Sequence, residues 1–404
     1  MQKFPGNKKQ NRLDAGNRTD TNQRGLSDWM PLLLNAAFRN KDTRGTRLPE
    51  RELFLAVRGI KTLSHGFTRE RELAGDRYMG NEELLAAYLL YYWPVSYMQT
   101  RLVFERLLPA CKIEGASVLE LGSGPAPGLF ALLDMGAKQG VAADSVRAAT
   151  SLAARLAEDF KGKKQNGYNF RAAFWDGVKG TAVPAGKYDI MLMSHVLNEL
   201  WSGRPDRIQL RRELLLRVMD SLSDSGMLVI IEPALLQVTR DLLLIQKGLL
   251  GEGCYIHSPC VVQESCPCLH EESATCHADL EWSPPLIVEQ LAHKARIGRE
   301  SLKFSFLAVS RTAAAGNAAV TTNQVYRVVS EPMLSKSGRR RVMLCGPGGR
   351  FSVSAPAESV KWGLMLRNLK RYDLVIMDKV EKREHGVGLV DGSGFKKISE
   401  LSRK

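Results

Sequence analysis

The sequence lacks any long apolar run. No segment reaches the roughly 18 uninterrupted apolar residues of a membrane span, because charged residues interrupt the best hydrophobic stretches. The first 25 residues are basic and almost free of apolar side chains. They therefore have neither the apolar core of a secretory signal nor an amphipathic transit pattern. We expect a disordered basic arm at 1–25 and a protein that does not cross a bilayer.

Acidic residues are in the minority. The 404 residues include 57 Lys plus Arg but only 43 Asp plus Glu, which gives a formal charge of +14. Such an excess is typical of proteins that bind a polyanion, most often nucleic acid, although a basic solvated surface alone also produces it. With 44% hydrophobic and 25% charged residues, the composition excludes a disordered or fibrous protein, and the length suffices for two or three domains.

The chain changes character along its length. Apolar residues at three- and four-residue spacing predict a helical N-terminal region at 26–110, with the aromatic stripe at 88–97 in its core. From 111 to 311, short β-rich runs alternate with amphipathic helices, which predicts an α/β fold with a doubly wound, Rossmann-like parallel sheet. The expected strands are 117–121, 139–143, 170–174, 188–193, 226–232 and 301–311.

The rest of the chain divides by composition. A Cys-rich insertion at 251–285 interrupts the α/β pattern, and a linker is expected at 312–324. Short strands separated by Gly, Pro and Ser predict a small β-rich domain at 325–378. We expect the last segment, 379–404, to be a mobile basic tail.

A glycine-rich loop follows the first expected strand and reads ELGSGPAPG at 120–128. Glycines let the backbone approach a ligand at the carboxyl end of the strand, where doubly wound sheets bind nucleotides. A dinucleotide fingerprint needs glycine where Pro127 stands, and Pro125 removes another N–H that could hold pyrophosphate. The loop therefore predicts a cofactor site but disfavours NAD. The alternative is that the glycines only form a tight turn.

The acidic-x-Gly-x-Gly arrangement, with a second acid, Asp144, ending the next strand, resembles the motifs of class I methyltransferases. Those enzymes use S-adenosylmethionine. In that family the glycine loop lies against the methionine part of the cofactor, and the acid after the second strand takes the ribose hydroxyls. Trp175 and Asp176, after the third strand, fit the position beside the adenine. The resemblance implies an S-adenosylmethionine site formed by Glu120, Gly122, Ser123, Gly124, Asp144, Trp175 and Asp176.

The sequence lacks the motifs that would identify a catalytic group. The segment SHVLNEL at 194–200 follows the fourth strand, where substrate approaches in this superfamily, but it has no (Asp/Asn/Ser)-Pro-Pro-aromatic motif. No cysteine occupies the position of a cytosine-C5 nucleophile. His195 has the right chemistry for a general base, since an unperturbed imidazole has a pKa of about 6.5. A histidine at a strand end is more often structural, so we assign no catalytic residue.

The cysteines are unevenly placed. A large chain without a secretory signal has little use for a disulfide framework, so clustered thiols favour a metal site. Closely spaced thiolates interleaved with proline suit zinc or an iron–sulfur cluster. The segment has no Cys-x-x-Cys knuckle of the kind that zinc sites usually show, and both metals stay open. Its cysteines are Cys254, Cys260, Cys266, Cys268 and Cys276.

The spacing Cys260-x5-Cys266-Pro, a following Cys276-His and a distant cysteine in VMLC at 342–345 form a more specific pattern. It resembles the methyltransferase-like assembly factors of the mitochondrial small ribosomal subunit and their bacterial relatives. The similarity covers most of the chain from about Leu63 onward. In that family, four cysteines hold a [4Fe–4S] cluster.

Carried over to this chain, the resemblance implies the ligands Cys260, Cys266, Cys276 and Cys345. Cys345 would then clamp the small C-terminal domain against the Rossmann-like domain. Cys254 and Cys268 are additional thiols, and Cys268 could replace Cys266 in the set.

A basic segment flanks Cys345. A β-rich domain with this density of guanidinium can neutralise the phosphates of folded RNA. The alternative is a solvated hairpin, but the resemblance to ribosome factors favours rRNA. The candidate RNA-binding residues are Lys336, Arg339, Arg340, Arg341 and Arg350.

The resemblance implies a protein that binds S-adenosylmethionine and a [4Fe–4S] cluster and acts on the small ribosomal subunit and its rRNA, in ribosome assembly or translation. The intact glycine loop favours a true methyltransferase, whereas the missing catalytic motif favours a catalytically silent rRNA-binding factor. A third alternative is a small-molecule methyltransferase with a structural zinc. We expect a monomer in the bacterial cytoplasm or, alternatively, in the mitochondrial matrix.

Overall fold

The computed structural model describes residues 25–38, 47–65, 79–161, 167–298, 301–313, 324–384 and 386–398. The expected arm at 1–24 and most of the expected linker, 314–323, lie outside these residues. The helices are α1 (Leu26–Phe38), α2 (Glu50–His65), α3 (Glu82–Ala87), α4 (Trp93–Leu102), α5 (Pro127–Asp134), α6 (Arg147–Lys161), α7 (Arg207–Met219), α8 (Leu236–Gly251), α9 (Leu286–Ala295) and α10 (Trp362–Arg367).

Helices α3 and α4 belong to one continuous helical segment. A π-helical turn at Tyr88–Tyr92 joins them, and a second π-helical turn, Val103–Leu107, follows α4. Such turns insert an extra residue into the helix and shift which side chains face a given direction. The first of them turns Tyr88 toward acidic side chains of the first sheet.

The first sheet confirms the α/β, Rossmann-like prediction. Strands β1 to β5 are parallel and run in the order β3-β2-β1-β4-β5, while β8 lies antiparallel beside β5. Strands β6 and β7 both pair with the other edge of β8. The strands are β1 (Ser117–Leu121), β2 (Gln139–Asp144), β3 (Asn169–Phe174), β4 (Tyr188–Ser194), β5 (Leu222–Pro233), β6 (Tyr255–Ser258), β7 (Ala278–Glu281) and β8 (Ser301–Ser310).

Helices cover both faces of this sheet. Successive side chains of a strand point to opposite faces, and on β4 both sets are apolar. Ile190 and Leu192 pack in the core that contains the N-terminal helices, while Met191 and Met193 pack with α7 and α8. This explains why the strands are continuous apolar runs rather than alternating ones.

The C-terminal domain forms a second sheet in the order β14-β15-β12-β11-β9-β13-β16, with β10 beside β11. A Pro347–Gly348 turn joins β11 to β12, and Gly348 has the positive φ, 82°, that such a turn requires. The strands are β9 (Val325–Val328), β10 (Met333–Leu334), β11 (Arg339–Gly346), β12 (Gly349–Pro356), β13 (Leu374–Asp378), β14 (Glu381–Arg383), β15 (Gly386–Gly388) and β16 (Gly394–Ile398).

The expected tail at 379–404 is wrong as far as Ile398. Strands β14, β15 and β16 belong to the second sheet, and Phe395 is buried opposite Met377 of β13. These strands are very short and carry lysines on their exposed positions, so their composition resembles that of a solvated tail. The β-rich domain therefore extends about 20 residues beyond its expected end at 378.

Candidate functional site

The glycine loop leaves β1 in a conformation that only glycine adopts easily. Gly122 and Gly124 have φ angles of 65° and 51°, in the left-handed region. A Cβ atom added to Gly122 would overlap the side chain of Val196, in the segment that follows β4. The loop and the 194–200 segment are therefore in close contact at the carboxyl edge of the sheet.

Glu120 lies behind this loop. Its side chain is 1% exposed, and its Oε2 accepts a hydrogen bond of 2.8 Å from the backbone N–H of Leu129 in the first turn of α5. Burial raises the pKa of Glu120 to about 8, although the hydrogen bonds act against the shift. Glu120 thus caps the helix that carries the loop onward and supports the expected cofactor site from behind.

Asp144 ties the end of β2 to the loop. Its Oδ2 accepts from the Gly124 N–H and its Oδ1 from the Val146 N–H, both at 2.8 Å. The N–H of Ser123, next to Gly124, donates to the Ala143 carbonyl at 3.1 Å. Asp144 therefore fixes the conformation of the glycine loop through its hydrogen bond from Gly124.

Trp175 is buried in the core of the Rossmann-like domain, and its place beside an adenine stays a prediction. Its ring is 2% exposed in the core under the strand ends, and a Cβ added to Gly177 would lie 2.7 Å from the ring. The side-chain N–H has no hydrogen-bond partner among the described residues. Asp176 accepts from the backbone N–H groups of Val178 and Lys179, at 3.1 and 3.0 Å. It therefore stabilises its own turn.

His195 begins the segment after β4 with a φ of 59°. Its backbone N–H donates to the Ile231 carbonyl at 2.7 Å, and its Nε2 lies 2.7 Å from Oε1 of the buried Gln99 on α4. The imidazole is thus held between the sheet and the N-terminal helices. This arrangement fits the structural role that the sequence analysis favoured for this histidine.

A buried polar network supports the rest of that segment. Asn198 donates to Oε2 of Glu232 at 2.5 Å, and Arg211 donates to the Asn198 carbonyl at 2.8 Å. Arg211 is 2% exposed and also pairs with Asp241 of α8 at 2.9 Å. Burial raises the pKa of Glu232 to about 7, although Asn198 and Arg211 stabilise its charged form.

Two cleft residues were missed by the sequence analysis. Glu199 reaches solvent but is closely surrounded by protein, and this desolvation, together with the charges of Glu232 and Asp144, raises its pKa to about 8. Tyr88 is directed toward Glu120, Asp144 and Glu199, and burial followed by these three charges raises its pKa. Tyr88 belongs to the aromatic stripe assigned to the core, and only the π-helical turn reveals its direction. These groups form an acidic region at the carboxyl ends of β1, β2, β4 and β5. We call it the acidic cleft and define it as Glu120, Asp144, Glu199, Glu232 and Tyr88.

The Cys-rich segment joins β6 to β7, the two strands that pair with the same edge of β8. Cys266 and Cys268 are buried there against Leu243 of α8, with Cys276 packed alongside. Cys260 and Cys276 line a small cavity together with Gln246 of α8, whose Nε2 donates to Cys260 Sγ at 3.2 Å.

Cys345 reaches this segment from the second sheet. It lies on β11 directly opposite Arg350 of β12, and Arg350 Nη1 donates to Cys268 Sγ at 3.4 Å. Burial, followed by the neighbouring thiols of Cys276 and Cys268, raises the pKa of Cys345 to about 12. The structure thus brings together a thiol cluster, which we define as Cys260, Cys266, Cys268, Cys276 and Cys345.

Cys254 does not join the thiol cluster. It packs with α7 and α8 in the core of the Rossmann-like domain, and burial raises its pKa. It is therefore a buried thiol from the same stretch of sequence with a different environment.

The thiol cluster is not closed around a single ion. Across the described ranges, no three His, Cys, Asp or Glu side chains converge tightly enough to hold one metal ion. Burial raises the pKa values of Cys260, Cys276 and Cys345, so ligation would have to displace their protons. The donor set itself, sulfur from buried cysteines around a cavity, fits a metal that takes several thiolates.

The expected RNA-binding residues separate into two groups. Arg350 turns inward to Cys268, and Arg339 donates across the hairpin to the hydroxyl and carbonyl of Ser354. Arg350 is only partly exposed at this interface, and its contact with RNA stays a prediction. Lys336 and Arg341 are exposed, and Arg340 is partly buried.

The strand order and the glycine loop at the end of β1 define a class I methyltransferase fold. Residues 82–370 match the family model described as the mitochondrial small ribosomal subunit Rsm22. This match covers more than half of the chain, and the chain belongs to that family. No curated protein sequence matches the chain.

The chain is also similar to solved methyltransferase structures at low identity. The ribosomal protein L11 methylase of Lactobacillus delbrueckii subsp. bulgaricus has 14% identity and a TM-score of 0.31, covering 58% of this chain and 81% of that one. The magnesium protoporphyrin IX methyltransferase of Synechocystis PCC 6803 with bound SAH has 12% identity and a TM-score of 0.35, covering 62% and 100%. Among the described residues, no helix has the length and apolar character to span a membrane.

Proposed function

We propose that this chain binds S-adenosylmethionine in the acidic cleft and acts as a methyltransferase on the small ribosomal subunit. The observation that carries the proposal is the glycine loop held by Asp144 at the carboxyl edge of the sheet. That edge is where doubly wound sheets bind ligands. The left-handed glycines at 122 and 124 keep the loop free of side chains and let a ligand approach its backbone.

The charge of the cleft favours this cofactor over a dinucleotide. S-adenosylmethionine carries a sulfonium and an ammonium group, whereas NAD presents an anionic pyrophosphate. Asp144, Glu199 and Glu232 are close enough for their charges to affect one another. A cationic ligand relieves that repulsion, while an anionic one increases it.

The bound cofactor would supply an electrophilic methyl group. Asp144 orders the loop and is the acid after β2, the position that would accept from the ribose hydroxyls. Glu120 holds the start of α5, and Asn198, fixed by Glu232 and Arg211, sets the position of the segment where substrate approaches. His195, whose Nε2 lies beside Gln99, is oriented rather than free to collect a proton. We assign no base.

We propose further that the thiol cluster holds a [4Fe–4S] cluster through Cys260, Cys266, Cys276 and Cys345. A cubane accepts one thiolate at each of four iron atoms, so its ligands need not converge on one point, unlike those of a single zinc ion. The gathering of thiols from two domains supports this choice. Zinc is the alternative, and Cys268 is the alternative to Cys266.

The family description and the charge of the C-terminal domain support a role with rRNA. Between 325 and 398 there are fifteen Lys and Arg residues but seven Asp and Glu residues. Lys336 and Arg341 are exposed on this domain and can reach phosphates. We propose that the protein acts as a monomer. Its compartment, bacterial cytoplasm or mitochondrial matrix, stays a prediction, and the family description favours the matrix.

Equilibrium binding of S-adenosylmethionine tests the cleft. Gly122→Ala should weaken binding at least about tenfold, because the new Cβ meets Val196 in a backbone region that alanine avoids. Gly115→Ala is the matched control: Gly115 also has a positive φ, 79°, but a Cβ there meets nothing within 4 Å. Wild-type protein that does not bind the cofactor would contradict the proposal.

A catalytically silent binding factor is the second candidate, and the missing catalytic motif after β4 favours it. Methyl transfer from labelled S-adenosylmethionine to small-subunit particles separates the two. Transfer by the wild type that Gly122→Arg abolishes supports the enzyme. Cofactor binding without transfer supports the silent factor.

A further inference from the structure

Arg327 is a buried cation at the contact between the two domains. It is 7% exposed on β9 of the C-terminal domain. Its Nε donates to the carbonyl of Pro259, in the Cys-rich segment, and its Nη1 donates to the carbonyl of Tyr372, both at 2.9 Å. In the part of the chain that the structure describes, Arg327 forms no ion pair with a carboxylate.

A buried guanidinium without an anion is costly, because two carbonyl dipoles replace only part of its hydration. The groups around Arg327 that can carry negative charge are mainly Tyr372, Cys260 and Cys276. Asp373 is nearby, but its carboxylate accepts from the Lys370 N–H and pairs with Lys397. The groups left to balance Arg327 are the thiols of Cys260 and Cys276 and the hydroxyl of Tyr372, which itself lies 3.3 Å from Cys276 Sγ.

The second sheet places two arginines on either side of Cys345. In the ladder between β11 and β9, Cys345 is paired with Arg327, and in the ladder between β11 and β12 it is paired with Arg350. Directly paired residues project from the same face, about 5 Å apart at Cβ. Arg350 also donates to Cys268 Sγ at 3.4 Å. One row across three strands thus presents Arg327, Cys345 and Arg350 to the Cys-rich segment.

We infer that Arg327 and Arg350 are the counter-cations of a metal–thiolate centre formed at the thiol cluster. This inference rests on the proposed cysteine ligation. Four thiolates around a dication, whether Zn²⁺ or an oxidised [4Fe–4S]²⁺ core, leave a net charge of −2. Two guanidinium groups balance that charge inside a site from which water is largely excluded. The C-terminal domain therefore supplies two neutralising charges together with its cysteine.

Neutral donors complete the surroundings of the sulfurs. Gln246 Nε2 donates to Cys260 Sγ at 3.2 Å, and the Tyr372 hydroxyl lies 3.3 Å from Cys276 Sγ. Hydrogen bonds to the sulfurs and net charge are two of the factors that set the reduction potential of such a centre. Removing a cation disfavours the more negative, reduced form and lowers the potential.

The test compares full-length Arg327→Met, Arg327→Lys and Arg350→Met proteins, purified without oxygen, with the wild type. The matched control is Arg383→Met, since Arg383 lies in the same domain but pairs with Glu381 at the surface. The readouts are metal per chain and the midpoint potential from a dye-mediated titration followed by electron paramagnetic resonance. For a zinc centre, the rate of zinc loss to a chelator replaces the potential.

Arg327→Met should lower the ratio of reduced to oxidised centre about tenfold at a fixed potential, a shift of about 59 mV for one electron. With zinc, metal loss should accelerate about tenfold. Arg327→Lys, which keeps the charge, should shift less, and Arg383→Met should match the wild type. If Arg327→Met does not fold, Arg350→Met carries the same prediction.

If the Arg327→Met and Arg350→Met variants keep the wild-type metal content and the wild-type potential or zinc-loss rate, that result would overturn the counter-cation inference but not the proposed cysteine ligation. A wild-type protein without metal would overturn both the inference and the proposed ligation. The two failures are therefore distinguishable.

Discussion

The acidic cleft and the thiol cluster are assembled in different ways. The cleft takes most of its groups from the ends of adjacent parallel strands, so Asp144, Asn198 and Glu232 are positioned by one sheet. The thiol cluster needs an insertion between β6 and β7 and a strand of a second domain, which brings Cys345 to Cys268 across the interface. The cleft takes no group from the C-terminal domain, whereas the thiol cluster depends on the docking of that domain.

Helix α8 contacts both regions. Asp241 pairs with Arg211 and Arg207 on the cleft side, while Gln246 donates to Cys260. Arg240 donates to carbonyls of the Cys-rich segment, including that of Glu271 at 2.7 Å. One rigid element therefore supports a site built within one domain and a site built between two.

The largest expected effect is the loss of metal when a cysteine of the thiol cluster is replaced, compared with no loss when Cys254 is replaced. Cys276→Ser should abolish metal binding, because one of the proposed ligands is removed, whereas Cys254→Ser should leave metal content unchanged. Metal analysis of anaerobically purified proteins measures both. Equal loss from the two variants would show that the distinction between these thiols is wrong.

The polar network beneath the cleft gives the next effect. Arg211→Met should destabilise the protein by about 3–5 kcal/mol, because Asp241 and the carbonyls of Asn198 and Leu200 lose a buried charged donor. Urea unfolding measures this free energy. Arg204→Met is the control, since Arg204 pairs with Asp206 on the surface, where solvent screens an ion pair and it contributes little to stability. A loss no larger than that of the control would mean that the network does not support the segment.

The pH dependence of cofactor binding tests the charge of the cleft. The pKa values of Glu232 and Glu199 are raised to about 7 and about 8, so both carboxylates are largely neutral at pH 6 and ionise one after the other as the pH rises through these values. Affinity for the cationic cofactor should rise severalfold over this range. Glu199→Gln should flatten the profile. An affinity that falls as the pH rises would contradict the assignment of the cleft to a cation.

The smallest effect concerns the exposed basic residues. Replacing Lys336 and Arg341 with glutamine should weaken binding to small-subunit rRNA a fewfold. The slope of log K against log salt should fall by about one for each phosphate that the variant no longer neutralises. Filter binding at several salt concentrations measures the slope. A wild-type affinity that barely changes with salt would exclude a phosphate-led interaction.

Local patterns predicted the Rossmann-like sheet and the glycine loop well. Five runs became β1 to β5. Four of these strands are largely buried, whereas the edge strand β3 is mostly exposed. Gly122 and Asp144 lie at the carboxyl ends of β1 and β2, as expected. The role of Trp175 was not predictable in this way, because whether a ring faces a ligand or the core depends on packing. Tyr88 was missed because a π-helical turn changes the direction of a side chain without a clear sequence pattern.

Other features of the thiol cluster were not predictable from the sequence, because they depend on pairing between strands that are distant in the chain. The distant Cys345 was linked to the insertion only through a family resemblance, while its neighbours Arg327 and Arg350 come from the ladder of the second sheet. Arg350 was assigned to an RNA surface from charge density alone, which does not reveal that its side chain also donates to Cys268. The strands at 381–398 were taken for a tail because they are short and rich in lysine.

The most direct test of the dependence on two domains is the metal content of the full-length protein purified without oxygen, compared with that of Cys345→Ser. We predict about four irons per chain and a visible absorption band for the wild type, with loss of the metal from Cys345→Ser although the Cys-rich segment is intact. A wild-type protein without metal, or a Cys345→Ser protein that keeps its full complement, would contradict a centre completed by the C-terminal domain.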